Sequence, residues 1–357
     1  MITVSRWLRV LAAMGGVLML SSVVASPGPA QARDAGGAAT GELVYVATAG
    51  NGPVTAYAAN SNGSVTPART VDNPNTPGTV WDPWGVTFDA TGHLYVQSFL
   101  ADADTFVFPP GAQGATPPSR IFVSQGPDNT SVAVDAKGFE YVLGTYSESS
   151  VAVSPPGASG TPGGTSSFFV SPVRTFTVNF SFGVWPDQLS TDNSGELLAA
   201  VSGQQHNAIA AFAGGANGSA SPARVISGPD TGLDCVSCEM SITFSPLTGR
   251  IYAAISDGTA TRICVFAGNA TGDARPVRVI EGPATGLPGM FITGIAGSQV
   301  DGTIYAMVQT ARFAGSGGTG RINAYGRLAN GNVAPLRSFT DSGSLFANAE
   351  GIAIARG

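Results

Sequence analysis

The chain has 357 residues, 43% apolar and only 11% charged, with 48 glycines, 24 prolines and a net charge of −6. That glycine and proline content excludes a helical protein, and without a three-residue glycine period it reads as many short strands joined by turns. An acidic chain with one lysine, Lys137, and no basic cluster is excluded as a nucleic-acid or anionic-lipid binder.

In chain order, the first element is a targeting segment over 1–32. Arg6 and Arg9 form a basic stretch, Leu11 to Ala25 is apolar but too short to favour a spanning helix, and Ala30-Gln31-Ala32 is a cleavage site. The expectation is a secreted, extracellular protein whose mature chain begins at Arg33 and carries a net charge of −8, since the segment takes two arginines and no acids with it. Residues 33–42 read as a flexible leader. No later apolar run is long enough to span a membrane.

From residue 43 to 357 two motifs alternate. One is Pro-x-Arg: Arg69, Arg120, Arg174, Arg224, Arg278 and Arg337 each stand two residues after a proline. An apolar residue follows two further on, and in five copies an aromatic lies ten residues before the proline. The other motif is a strand, a Gly-bearing turn and a second strand, as in Gly85-VTFDATGHLYV, Ser131-VAVDAKGFEYV, Gln188-LSTDNSGELLA, Ser241-ITFSPLTGRIYA and Gly294-IAGSQVDGTIYA. A third strand ends at the aromatic, and the Pro-x-Arg segment is the fourth. Four strands repeated six times make an all-β, six-bladed β-propeller. Its strands are named a to d from the axis outwards. The C-terminal strand, 351–357, has no partner hairpin and completes the N-terminal blade, which lacks strand a. Proline, arginine and apolar residue share one face of strand d, and the arginine is expected to shield the outer edge.

The segments DPWGVTFDATGHLYV (82–96) and ATRICVF (260–266), with the Pro-x-Arg strands, resemble NHL-repeat and related six-bladed, TolB-like propellers over residues 43 to 357. The resemblance implies architecture rather than a particular partner. In such propellers the b–c and d–a loops share one face, and a ligand sits where strand a begins. Immediately before each strand a stand Trp84, Thr130, Asp187, Met240, Thr293 and Glu350. With Asn129 and Glu239, this makes Trp84, Asn129, Asp187, Glu239 and Glu350 the expected ligand-binding set, with Trp81 and Trp185 adding aromatic contact. Asp187 and Glu350, three blades apart, would face each other across the channel.

Two functions compete. One is a non-catalytic binding or scaffold module for an extracellular protein or small molecule, acting as a monomer without a cofactor. The other is a metal-dependent hydrolase or lyase, of the gluconolactonase or virginiamycin B lyase type, holding Ca²⁺ or Zn²⁺ on Asp187 and Glu350 with Glu239 as a further acid. The same acids would serve a bland role by satisfying strand-end amides. His93 reads as a turn residue and His206 as an exposed loop residue. Cys235 and Cys238 read as a loop disulfide, as zinc ligands with His206, or as a redox pair. Cys264, within an apolar strand, reads as a buried free thiol.

Overall fold

The computed structural model describes residues 41–75, 79, 81–99, 104–123, 129–144, 150–160, 170–178, 185–203, 207–235, 238–311 and 318–357, without the side chains of 129, 130 and 185–187. The expected targeting segment therefore lies outside the described residues, as do His206 and most of the insertion in the third blade.

Six antiparallel sheets form, and their order in the chain follows the expected blades. Blade 2 runs through Pro83–Phe88 (a), Leu94–Ser98 (b), Thr105–Phe108 (c) and Arg120–Phe122 (d). Blades 3 to 6 repeat this with inner strands Asn129–Val134, Trp185–Thr191, Glu239–Ser245 and Phe291–Gly297. Blade 1 takes strand a from the far end of the chain. Ala349–Arg356 pairs antiparallel with Glu42–Thr48, which continues into Val54–Ala58 and Arg69–Val71. This closure ties the first strand to the last, so the ring has no free inner strand.

The core lies between blades. Alternation along each strand sends one set of side chains to each neighbouring sheet, and the buried apolar residues fall into six clusters, one per seam. At the seam between blades 4 and 5, for example, Leu198 and Ile209 meet Ile242 and Ile251. Nearer the axis, polar side chains tie the strands a of blades 3, 4 and 5 in series. Leu189 N donates to Ser131 Oγ (3.0 Å), Ile242 N to Gln188 Oε1 (2.7 Å) and Phe244 N to Ser190 Oγ (3.0 Å). Those side chains satisfy amides that strand a, an edge of its own sheet, leaves unpaired.

Three expectations change. Glu42 does not belong to a flexible leader. It is 2% exposed, and its carboxylate accepts from Ser298 Oγ (2.6 Å) and Gln299 N (2.8 Å) in blade 6. Strand d is not a bare edge either. The c–d turn of the following blade pairs with it in parallel, as at Val71 with Gly114, Phe176 with Gly218, Ile226 with Gly272 and Ile280 with Gly331. Where the ring closes, the contact extends to a short strand, Gly63–Val65, alongside Phe339–Asp341. Gly63, Gly114, Gly218, Gly272 and Gly331 all have φ between 56° and 75°, a conformation that side chains with a Cβ rarely adopt, so this repeated glycine is required at the latch.

The third change concerns the arginines. They do not serve chiefly to repel other edges; their heads cross the seam. Arg120 donates to Ala158 O, Arg174 to Gly214 O, Arg224 to Ala270 O (2.8 Å) and Arg278 to Arg327 O (2.8 Å), each acceptor lying in the next blade's c–d turn. Three of the six strand-d arginines also meet a tyrosine of strand b in their own blade: Arg69 with Tyr45, Arg120 with Tyr95 and Arg337 with Tyr305. Asparagines of the same turns complete the latch, with Asn62, Asn217 and Asn330 accepting from the amide that follows the arginine.

Candidate functional site at the axial mouth

Of the six residues expected just before the inner strands, all lie within those strands and five fall on an irregularity of the fold. In five blades one residue of strand a is left out of the register against strand b. Pro83 pairs with Ser98 and Gly85 with Gln97, which omits Trp84. The same step omits Thr130, Asp187, Thr293 and Glu350. Blade 5 alone is regular there, with Met240 opposite Ile255. A β-bulge places an unpaired residue in the strand, increases its twist and re-aims its side chain. Repeated at one end of five inner strands, it rings the channel mouth with residues released from the ladder.

Glycine allows these strands to crowd the axis. A Cβ at Gly351 would lie 2.7 Å from Trp84 O, and one at Gly294 would lie 2.9 Å from Ile352 N. The residue next to Glu350 is thus in backbone contact with Trp84, which makes those two bulges neighbours. Trp84 is half-buried, and its ring centroid lies 4.5 Å from that of Phe99, in the b–c loop of the same blade, with the planes tilted by 31°. Together they form an aromatic pair next to the bulge that carries Glu350. Phe291, at the start of strand a in blade 6, lies over Gly258, whose missing side chain makes room for the ring. Thr293 Oγ1 is buried at its bulge with no hydrogen-bond partner among the described residues.

Trp84 and Glu350 are therefore brought together, and Glu239 lies at the start of its inner strand opposite Ser256. Asn129 and Asp187 occupy the expected positions in strands a, but their side chains and that of Trp185 lie outside the described residues. Trp81 is not a ligand contact. It is 3% exposed, donates its indole N–H to Gly52 O (2.8 Å) and packs edge-on against Phe106 and Phe108. It lies just ahead of strand a and packs into the seam between blades 1 and 2. Phe99 was not singled out from the sequence; its position directly after strand b, on the mouth face, was the available signal.

The same face carries the cysteine loop. Cys235 and Cys238 are joined by a disulfide, and Cys235 Sγ lies 3.8 Å from Asp257 Oδ2. Arg262 holds this loop down by donating to Gly232 O (2.7 Å) and Asp234 O (3.1 Å). Burial works against the Asp257 carboxylate. The Thr259 hydroxyl and the amides of Thr259 and Ala260 outweigh that effect and hold its pKa below the usual value. Cys264 is buried and free. His93 sits in the a–b turn on the opposite face, bonded to Thr91 and Asp89. Among the described residues, the one group of three metal-ligating side chains is Cys235, Cys238 and Asp257; Glu239 and Glu350 join no such group. The described part of the mouth thus does not gather the three or four oxygen donors of a hard-cation site.

No family model matches the chain, and no curated protein does. Solved structures do match. A protein of unknown function from Bacteroides caccae is 10% identical, with a TM-score of 0.60 over 89% of this chain and 100% of its own. A functionally unknown protein from Desulfotomaculum acetoxidans is 12% identical, with a TM-score of 0.46 over 84% of this chain and 80% of its own. At such identities the likeness concerns the fold alone. No helix among the described residues is long and apolar enough to cross a membrane.

Proposed function

We propose that the protein is a secreted, non-catalytic binding propeller that takes an extracellular small molecule or a protein segment at its axial mouth. The ring of five bulges carries this reading. A purely structural strand end has no need to leave the ladder at the same point in five blades, whereas a site needs side chains freed from the sheet and aimed at a common space. The ligand that suits the described part of the mouth has a flat apolar face for Trp84 and Phe99. Donor groups on it would meet Glu350. Secretion follows from the basic and apolar stretches of 1–32 with their cleavage site.

The test is ligand-observed NMR of the mature protein against a library of flat, donor-bearing fragments and short peptides. Hits must be lost in Trp84→Ala and in Glu350→Gln and kept in Arg337→Gln, which alters only the outer rim. Hits that survive both mouth variants would sink the reading. Fractionation of the producing cells tests secretion separately, since a protein retained with its first 32 residues contradicts export.

A further inference from the structure

The repeat itself exposes a second site, on the face opposite the axial mouth. In blades 2 to 4 the strand-d arginine belongs to a chain of groups that begins at the a–b turn. Asp89 organises that turn in blade 2 by accepting from Thr91 N and His93 N (both 2.9 Å), while its other oxygen lies 3.5 Å from Tyr95 OH. Tyr95 in turn accepts from Arg120 (2.8 Å). Blade 3 repeats the arrangement, with Tyr141 OH donating to Asp135 (3.1 Å). Blade 4 has Leu198 where the tyrosine would stand. There Arg224 reaches acids directly, Glu196 at 2.9 Å and Asp192 at 3.8 Å. In all three blades the positive head has a carboxylate in or beside the a–b turn.

Blade 1 cannot have one. Its strand a is the C-terminal strand and its strand b the N-terminal one, so no a–b turn joins them. Closing the ring with the chain's two ends deletes the turn and its aspartate. An arginine, Arg356, stands at the end of strand a instead, opposite Glu42 in the register, exposed and with no side-chain hydrogen bond or ion pair among the described residues. The side chain of Arg69, the strand-d arginine of this blade, makes one hydrogen bond among the described residues, a 3.3 Å contact with Tyr45 OH. Its counterparts in blades 2 to 5 donate to a carbonyl of the next blade's turn; among the described residues the Arg69 side chain does not. Between these groups lies a cavity of about 400 Å³, lined by Tyr45, Arg69, Phe88, Pro110, Ala112 and Arg356 among others. Tyr45 and Phe88 meet edge to face there, with ring centroids 4.8 Å apart.

We propose that this cavity binds a small carboxylate with a flat apolar body, the ligand's carboxylate taking the place of the missing turn aspartate. Two guanidinium groups with free donors match the planar, two-oxygen geometry of a carboxylate. The rings and prolines cover an apolar body and lower the local dielectric, which strengthens the charge contact. A free phosphate gains from the arginines but gives up its hydration against an apolar wall. The site is independent of the axial mouth, because a–b and c–d turns form the other face.

The experiment titrates benzoate, its neutral analogue benzyl alcohol, and inorganic phosphate into the mature protein, followed by ligand-observed NMR. Benzoate is expected to saturate, with benzyl alcohol at least about tenfold weaker. Arg356→Gln should weaken benzoate about tenfold with an unchanged melting temperature, because this side chain is exposed and holds no part of the fold. Arg69→Gln should do the same. Should it instead lower the melting temperature, Arg356→Gln alone decides. Benzoate binding that is absent, unchanged in Arg356→Gln, or matched by benzyl alcohol overturns the proposal. Phosphate that outcompetes benzoate also overturns it, by showing a general anion site without use of the apolar wall.

Discussion

Arg120 and Glu140 meet at 2.8 Å across the seam between strand d of blade 2 and strand b of blade 3, and the glutamate side chain has no exposed surface. Tyr95 OH donates to the same oxygen at 3.2 Å. Burial pushes the Glu140 carboxyl up to about 7, even though Arg120 and Tyr95 pull it down. The folded state therefore holds a proton that the unfolded chain, with an ordinary glutamate, releases at lower pH. Stability from this group is greatest below the unfolded value of about 4.5 and declines as pH rises towards 7. Melting temperatures of wild type and Glu140→Gln, measured from pH 5 to 8, should diverge in the variant's favour as pH rises. A difference that stays constant with pH contradicts this.

The six arginines should not be equivalent. Removing Arg120 takes away the cation that favours the charged form of Glu140, so the buried carboxyl stays protonated at neutral pH, and Arg120→Ala should cost about 2 kcal/mol through the lost bonds to Glu140, Tyr95 and Ala158 O. Among the described residues the Arg278 side chain has one hydrogen-bond partner, the carbonyl of Arg327, and its loss should cost about 1 kcal/mol. Urea denaturation of both variants measures the order, and equal losses would show that the pair with Glu140 adds nothing.

Close approach at the axis predicts a strong glycine effect. A Cβ at Gly351 would meet Trp84 O at 2.7 Å, a backbone atom that moves only if the inner strands separate. Gly351→Ala should destabilise by about 1–3 kcal/mol and lower the melting temperature by several degrees. Gly215→Ala, where nothing lies within 4 Å and φ is not positive, should be close to neutral.

Cys264 provides a probe of seam opening. Burial raises its thiol to about 11, and its side chain lies within the seam between blades 4 and 5. Iodoacetamide at pH 8 should leave the native protein unmodified at this residue and label it in urea, as read by mass spectrometry. Rapid labelling of the native protein would mean that this seam opens readily.

Much of the fold was legible because the repeat has two independent markers. Pro-x-Arg marks strand d and the Gly-bearing hairpin marks strands a and b, and each depends on local backbone preference. The mouth was legible in position: Trp84, Asp187 and Glu350 were placed by counting back from strand a, and each proved to be the bulged residue. The bulge itself was not, because it is a mismatch between two strands and neither carries it alone. Trp81 was misplaced for a related reason. It stands two residues clear of Trp84 and outside strand a, and only the packing of the seam decides which tryptophan enters the core.

By itself, then, the sequence determined the blade count, the strand order and the closure of the ring by its two ends. These rest on local periodicity and turn chemistry, which each segment carries alone. The tertiary structure decided what crosses from blade to blade: the arginine heads on neighbouring carbonyls, the burial of Glu42 against blade 6, and the cavity where a turn is missing. Such contacts join residues far apart in the chain, as Glu42 and Gln299 are at 257 positions and Tyr57 and Asp341 at 284. Their partners are set by how twisted sheets pack around an axis, and no single stretch of chain records that.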